Sequence, residues 1–263
     1  MTVREFCLRI LESGDLEAKL APPPPEISDE APGPALRIDR PARAPGLRLR
    51  SGAGPLPRLR ELEREEARAV TLARFAHHEL MAVELFAWAL LRWPEMPAAL
   101  RRGFLLTLVE EQAHLRLYLE RLAELGQKLE DHALSDYFWK LAPKIDAHPA
   151  GPRAFLAAMG LTLEQANLDF SLLYRDAFAQ VGDVATAAVL ERVHDDEVGH
   201  VKLAAVWIRR LSGGKSDLEA YLEAVPHPLC AARAKARKFS AESRRLAGLS
   251  EEMIAHVRDA RPR

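Results

Sequence analysis

Two short runs, EEQAH (Glu110 to His114) and DEVGH (Asp196 to His200), each place a Glu-x-x-His pair where the flanking pattern marks the apolar face of a helix. Residues three apart share one helix face. Glu111 and His114 lie on the stripe of Phe104, Leu108, Leu115, Tyr118 and Leu122, and Glu197 and His200 on that of Val193, Val201, Ala204 and Ile208. Burying an unpaired carboxylate costs several kcal/mol. A fold that hides both stripes must therefore supply compensating charge beside each pair.

A third pair, Glu191 and His194, stands six residues before Glu197 and about 120° round the same helix, so it reads as incidental. The other two belong to a repeat. Glu79 precedes Glu111 by 32 residues and Glu164 precedes Glu197 by 33. The midpoints of these intervals, near 95 and 180, fall on "WPEMP" and just before "GD", both turn signals. Two antiparallel helix hairpins would thus bring Glu79, Glu111, His114, Glu164, Glu197 and His200 into one bundle core. Each hairpin offers an alternative acid five residues on, Glu84 and Asp169, about 140° away on the helix. The matched spacing favours Glu79 and Glu164 over them.

One Glu from each of two helices and Glu-x-x-His from each of two others is the donor set of a carboxylate-bridged pair of iron or manganese ions. Four carboxylates offset most of the charge of two divalent ions, and one imidazole per ion leaves positions open for O2, peroxide or water. Glu110 and Asp196 immediately precede the ligand glutamates, where acids would receive the free N–H of the opposite histidine. Tyr118 and Tyr174 stand as hydrogen-bonding or redox neighbours or as aromatic core. His77 and His78 read as packing or capping residues, and His194 as a pocket or a solvated residue. Gly199, between Glu197 and His200, leaves room for a substrate or for a closely packed helix.

The remainder of the chain frames that core. Residues 3–20 show helical spacing, and ten of the 18 prolines then fall between Pro22 and Pro57, which predicts an extended strap. Helical patterns run over 59–93, 98–125 and 154–181, the third interrupted near Gly160, where Thr162 and Gln165 have capping-box spacing. A fourth helix ends at "LSGGKSD", and amphipathic segments follow at 216–224 and 229–258. Residues 127–152 form a long connection, and strand periodicity is absent. The predicted fold is all-α, with an N-terminal helix and strap (1–58), a four-helix bundle (59–212) and a C-terminal helical extension (213–263).

With 37 basic against 38 acidic residues, no overall charge draws the chain to nucleic acid or anionic lipid. The run "RAKARKFSAESRR" suits a phosphate-bearing partner such as tRNA, or is a solvated helix face. Cys7 and Cys230 match neither a zinc spacing nor a disulfide framework, although they would pair if the two chain ends met. They fit a reducing cytoplasm. No run of 18 apolar residues is present, so no membrane span is expected. Without a rubredoxin-like cysteine cluster, electrons for oxygen chemistry would come from a separate reductase.

The segments "AHHELMAVELF", "EEQAHLRLYLERL", "GLTLEQANLDF" and "DDEVGHV" resemble an uncharacterised bacterial family of ferritin-like proteins, with a likeness spread across nearly the whole chain. The resemblance implies a ferritin-like four-helix bundle whose long crossover joins helices 2 and 3. The wider superfamily includes a di-iron tRNA hydroxylase acting on a prenylated adenosine, ribonucleotide reductase subunits, hydrocarbon monooxygenases and rubrerythrin-type peroxidases. It implies metal and oxygen chemistry, on a small or nucleoside-like substrate or in iron handling, and leaves the substrate open.

Overall fold

A computed structural model describes residues 1–52 and 54–261. Helix accounts for 65% and strand for 2%, which makes the fold all-α. Two compact units divide the chain, Met1–Pro143 and Lys144–Arg263. Among the described residues, no helix is long and apolar enough to cross a membrane.

The first unit opens with α1 (Val3–Glu12), capped by a reciprocal Thr2 and Glu5 pair at 2.7 and 3.2 Å, and α2 (Leu16–Leu20), capped by Asp15. The proline-rich strap that follows satisfies its backbone by reaching other segments. Ala42 donates its N–H to the Leu11 carbonyl (2.7 Å) and Leu36 to that of Leu91 (2.9 Å). Two-residue strands β1 (Leu49–Arg50) and β2 (Leu134–Ser135) pair in parallel. Elements this short carry no alternation, which is why the sequence pattern missed them.

The hairpin of α3 (Glu65–Arg92) and α4 (Ala98–Glu124) forms the body of this unit. Acids Glu65 and Glu66 start α3, and Pro94, which disfavours helix at Trp93, stops it. Gly126, at φ +68°, ends α4 by turning left-handed so that the Gln127 N–H reaches back to the Leu122 carbonyl (3.2 Å). Aromatic pairs Phe86 with Phe104 (5.4 Å) and Phe75 with Tyr118 (5.6 Å) lie at nearly equal distances from the turn, as an antiparallel hairpin requires.

The short α5 (Ala142–Asp146) carries the boundary between units. In the second unit, Pro152 at the first helical position starts α6 (Pro152–Phe155). The chain continues without a break through a π-helical stretch, Leu156–Glu164, into α7 (Gln165–Gln180). Thr162, expected to cap, instead donates its hydroxyl to the Ala157 carbonyl five residues back (2.8 Å) and meets the Tyr221 hydroxyl at 3.1 Å. Gly160 faces Ala204 so closely that an added Cβ would lie 2.2 Å from the alanine Cβ. Gly182 turns the chain, and Asp183 caps α8 (Val184–Leu211) by accepting the Thr186 N–H at 3.0 Å.

Then come α9 (Asp217–Ala224), α10 (Ala241–Leu246) and α11 (Glu251–Asp259). The 229–258 pattern is thus two helices and a 3-10 turn. Ser240 and Ser250 each begin a new helix, and Gly248, at φ +73°, separates them.

Candidate metal centre

Each unit brings together its own Glu and Glu-x-x-His. In the first, α3 presents Glu79 and α4 presents Glu111 and His114, and their ligand atoms lie within 4.8 Å of one another. In the second, the end of the π-helical stretch presents Glu164 and α8 presents Glu197 and His200, again within 4.8 Å. All six are at most 5% exposed. Two carboxylates hidden in each place carry a Born cost that neighbouring apolar side chains cannot offset.

Within each pair the geometry is the same. Nδ1 of His114 stands 3.3 Å from Oε2 of Glu111, and Nδ1 of His200 stands 3.3 Å from Oε2 of Glu197. Two donor atoms about 2.1 Å from one ion, and roughly 90–110° apart as seen from it, stand about 3.0–3.4 Å from each other. These buried Glu/His clusters are compatible with a metal ion by donor type, separation and charge.

The alternative acids have other partners. Glu84 accepts from the Arg43 guanidinium (2.8 and 2.7 Å) and from the Trp139 indole N–H (2.9 Å), and pairs with the Lys19 ammonium at 3.0 Å. Burial pushes the Lys19 pKa down, against the opposing pull of Glu84. Asp169 forms a fork with Arg244 (2.8 and 3.0 Å) and accepts the N–H groups of Ala236 (3.0 Å) and Ser240 (2.7 Å). The spacing of five residues identified real partners of the hairpins, but these two carboxylates are occupied by buried cations.

The neighbours fall in several environments. Glu110 is exposed, and Asp196 lies 3.8 Å from Arg192 with a third of its side chain in solvent. Tyr118 is buried beside Phe75, and burial raises the Tyr174 pKa so that it stays a phenol. His77 meets the Ser135 carbonyl through Nε2 at 2.7 Å, and His78 stacks on Phe138. Glu191 pairs with Arg175 on the surface (2.6 Å), and His194 meets the Ser243 hydroxyl (2.9 Å). Gly199 is exposed and an added Cβ would meet nothing within 4 Å. A closely packed helix therefore does not explain it, and that half of the reading is corrected. In the basic run, Arg244, Lys238 and Arg245 are paired with Asp169, Asp176 and Glu251. Cys7 is buried and Cys230 half-buried, both as thiols.

Sequence reasoning missed Asn167. Its side-chain amide donates to Oε1 of Glu197 at 2.8 Å. The signal was present, since Asn167 lies one turn beyond Glu164 and shares its helix face.

Fold and site together define a helical protein with buried Glu/His clusters suited to a metal ion. The chain belongs to the family described as "Protein of unknown function (DUF455)", whose match covers residues 11–255. It is similar to a protein of Haemophilus influenzae described as an uncharacterized protein, at 30% identity over 160 residues, which are 58% of this chain and 54% of that one. The chain thus spans about half the length of this relative. No solved structure matches.

Proposed function

We propose that the chain is a ferritin-like metalloprotein whose two Glu/His sets hold two iron or manganese ions per chain, and that it is an oxidoreductase acting with O2 or peroxide. The observation that carries this reading is the doubled set of buried donors with matched geometry, Glu79, Glu111 and His114 in one unit and Glu164, Glu197 and His200 in the other. Together the four carboxylates would balance the charge of two divalent ions. Bound iron would supply the one-electron chemistry that lets O2 or peroxide react with an otherwise inert substrate.

The protein's own groups orient and protect. Each of these histidines turns Nδ1 toward its glutamate, and an ion held by Nδ1 would leave the proton on Nε2, available to an acid. Glu110 and Asp196, immediately before Glu111 and Glu197, are the acids proposed to receive it. Leu108, Leu115, Val193 and Val201, all buried, keep water from the donors. Electrons would come from a separate donor, and the substrate would be small or nucleoside-like.

The test is an anaerobic Fe(II) titration of metal-free protein, followed by air. Two ions per chain are expected, falling to about one in His114→Ala or His200→Ala, with O2 consumed and no mineral formed. Protein that takes up no metal sinks the reading. Protein that oxidises many Fe(II) ions per chain into a ferric mineral would be an iron-handling protein instead.

A further inference from the structure

An aromatic pair closes one end of the donor set in the first unit. Phe75 lies four residues before Glu79 on α3 and Tyr118 four beyond His114 on α4, so both rings stand one helical turn from the donors, on the side away from the hairpin bend. Their centroids are 5.6 Å apart at 52°, with Tyr118 buried and Phe75 half-buried. His78, three residues on from Phe75, is also half-buried and stacks on Phe138 at 5.2 Å and 21°, which extends the aromatic surface along α3. The other end of the hairpin is sealed, since Phe86 and Phe104, seven residues from Glu79 and Glu111 on the bend side, are 4% and 1% exposed. In the second unit the places of Phe75 and Tyr118 are taken by Gly160 and Ala204, four before Glu164 and four beyond His200. An added Cβ on that glycine would lie 2.2 Å from the alanine Cβ, a contact that leaves no room for a ligand.

We propose that Phe75 is a substrate-binding residue, the face on which a planar aromatic group of the substrate stacks beside Glu79, Glu111 and His114, an inference that rests on the metal-site reading above. The ring is rigid and partly in solvent, so a flat apolar group gains contact with it at little entropic cost, whereas an aliphatic chain gains only area. Tyr118, buried against it, fixes the tilt of the ring. One turn of helix is about 5.4 Å, so a group stacked on Phe75 lies next to the donors rather than among them and displaces no ligand. The substrate class this surface selects is a small molecule with an aromatic ring or base, not a saturated hydrocarbon.

The experiment follows the fluorine NMR relaxation of fluorobenzene, and of trifluoroethanol as an aliphatic probe, with protein loaded with Mn(II) or, as the diamagnetic reference, Zn(II). Mn(II) should speed fluorobenzene relaxation beyond the Zn(II) reference, and Phe75→Ala should weaken fluorobenzene binding about 2–10-fold, the worth of one aromatic contact. Phe75→Leu keeps apolar bulk without a ring, so it should also lose fluorobenzene affinity while leaving that of trifluoroethanol within about twofold. It serves as the second variant if Phe75→Ala does not fold. Phe86→Leu, at the sealed end, should leave both probes within about twofold of wild type, and all three variants should leave Mn(II) affinity within the same margin. Fluorobenzene relaxation no faster with Mn(II) than with Zn(II), equal fluorobenzene affinity in wild type and Phe75→Leu, or equal losses of both probes in Phe75→Leu would overturn the inference. Wild type that binds no Mn(II) would instead bring down the metal-site reading and this inference with it.

Discussion

The hairpin α3/α4 and the hairpin α7/α8 bury the same donor set, yet they neutralise the acid five residues further along by opposite ends of the chain. In the first unit Glu84 gathers Lys19, Arg43 and Trp139, that is, α2, the strap and the segment after β2. In the second, Asp169 takes one cation, Arg244 of α10, supplemented by two backbone N–H groups. Both arrangements clamp a terminal segment onto a hairpin, and both keep the acid out of competition for a metal. The difference is redundancy: two buried cations share the work in one unit, and one performs it alone in the other.

That difference sets the largest expected effect. Arg244→Met leaves Asp169 buried with no cation, which should cost about 3–5 kcal/mol. Arg43→Met leaves Glu84 with Lys19 and Trp139 and should cost about 1–3 kcal/mol, the value of a hydrogen bond to a charged group. Combining Lys19→Met with Arg43→Met should bring the first unit to the loss seen for Arg244→Met. Urea unfolding midpoints compare the three, and equal shifts for Arg43→Met and Arg244→Met would break the comparison.

Metal should stabilise both units at once. Each hides two ligand carboxylates, so an ion that binds only the folded chain raises stability by mass action, about 2.7 kcal/mol at a free concentration 100 times its Kd. A thermal melt with Mn(II) should therefore rise in wild type, rise less in His114→Ala, and stay put in the double His114→Ala/His200→Ala variant. A double variant that still gains as much as wild type would place the stabilising metal elsewhere.

The ligand-bearing helices themselves differ. Through Glu79, α3 is regularly α-helical, whereas the chain approaching Glu164 is π-helical from Leu156 onward and presses Gly160 against Ala204. Gly160→Ala should cost about 1–3 kcal/mol by overpacking, and Ala204→Gly in the same protein should recover part of it. Gly199→Ala, exposed and with open space around it, should instead gain up to about 1 kcal/mol from helix propensity. Thermal melts of the three variants separate these outcomes.

The same residues show what the sequence made legible. Strong helical periodicity locates α4 closely, with 98–125 expected and Ala98–Glu124 found, whereas the 59–93 pattern is a 3-10 turn at Leu59–Glu63 followed by α3 from Glu65. Ligand spacing led to Glu79 and Glu164 because an antiparallel hairpin turns equal distances from a bend into proximity. The interruption near Gly160 was visible but its nature was not, since a search at the 3.6-residue period has no place for a π-helical turn. The partners of Glu84 and Asp169 were hidden for a different reason. Lys19 and Arg43 lie 65 and 41 residues away from Glu84, and Arg244 lies 75 from Asp169, with no local pattern to join them. Asn167 was overlooked because a neutral amide among apolar residues looks like any exposed polar position.

The smallest effect concerns how each hairpin's first helix is tied at its far end. On α3 the Leu91 carbonyl accepts the Leu36 N–H of the strap at 2.9 Å, an uncharged bond. At the matching place on α7, Asp176 accepts from Lys238 at 2.7 Å and from Arg175 at 2.8 Å. The Lys238 hydrogen bond first, and that of Arg175 second, hold the Asp176 carboxyl below its ordinary value of 3.8. A carboxyl lowered in this way stabilises the fold above the unfolded value, and its contribution disappears as pH falls through the folded one. With 34% of its side chain in solvent, the tie is screened and should be worth at most about 1 kcal/mol. Asp176→Asn should therefore melt slightly below wild type at pH 7 in low salt. The two should converge as pH falls through the lowered carboxyl value of the folded state, and also at 1 M salt, where the screening length is about 3 Å. A constant deficit across pH and salt would mean that Asp176 acts by packing, and would remove this contrast between the two hairpins.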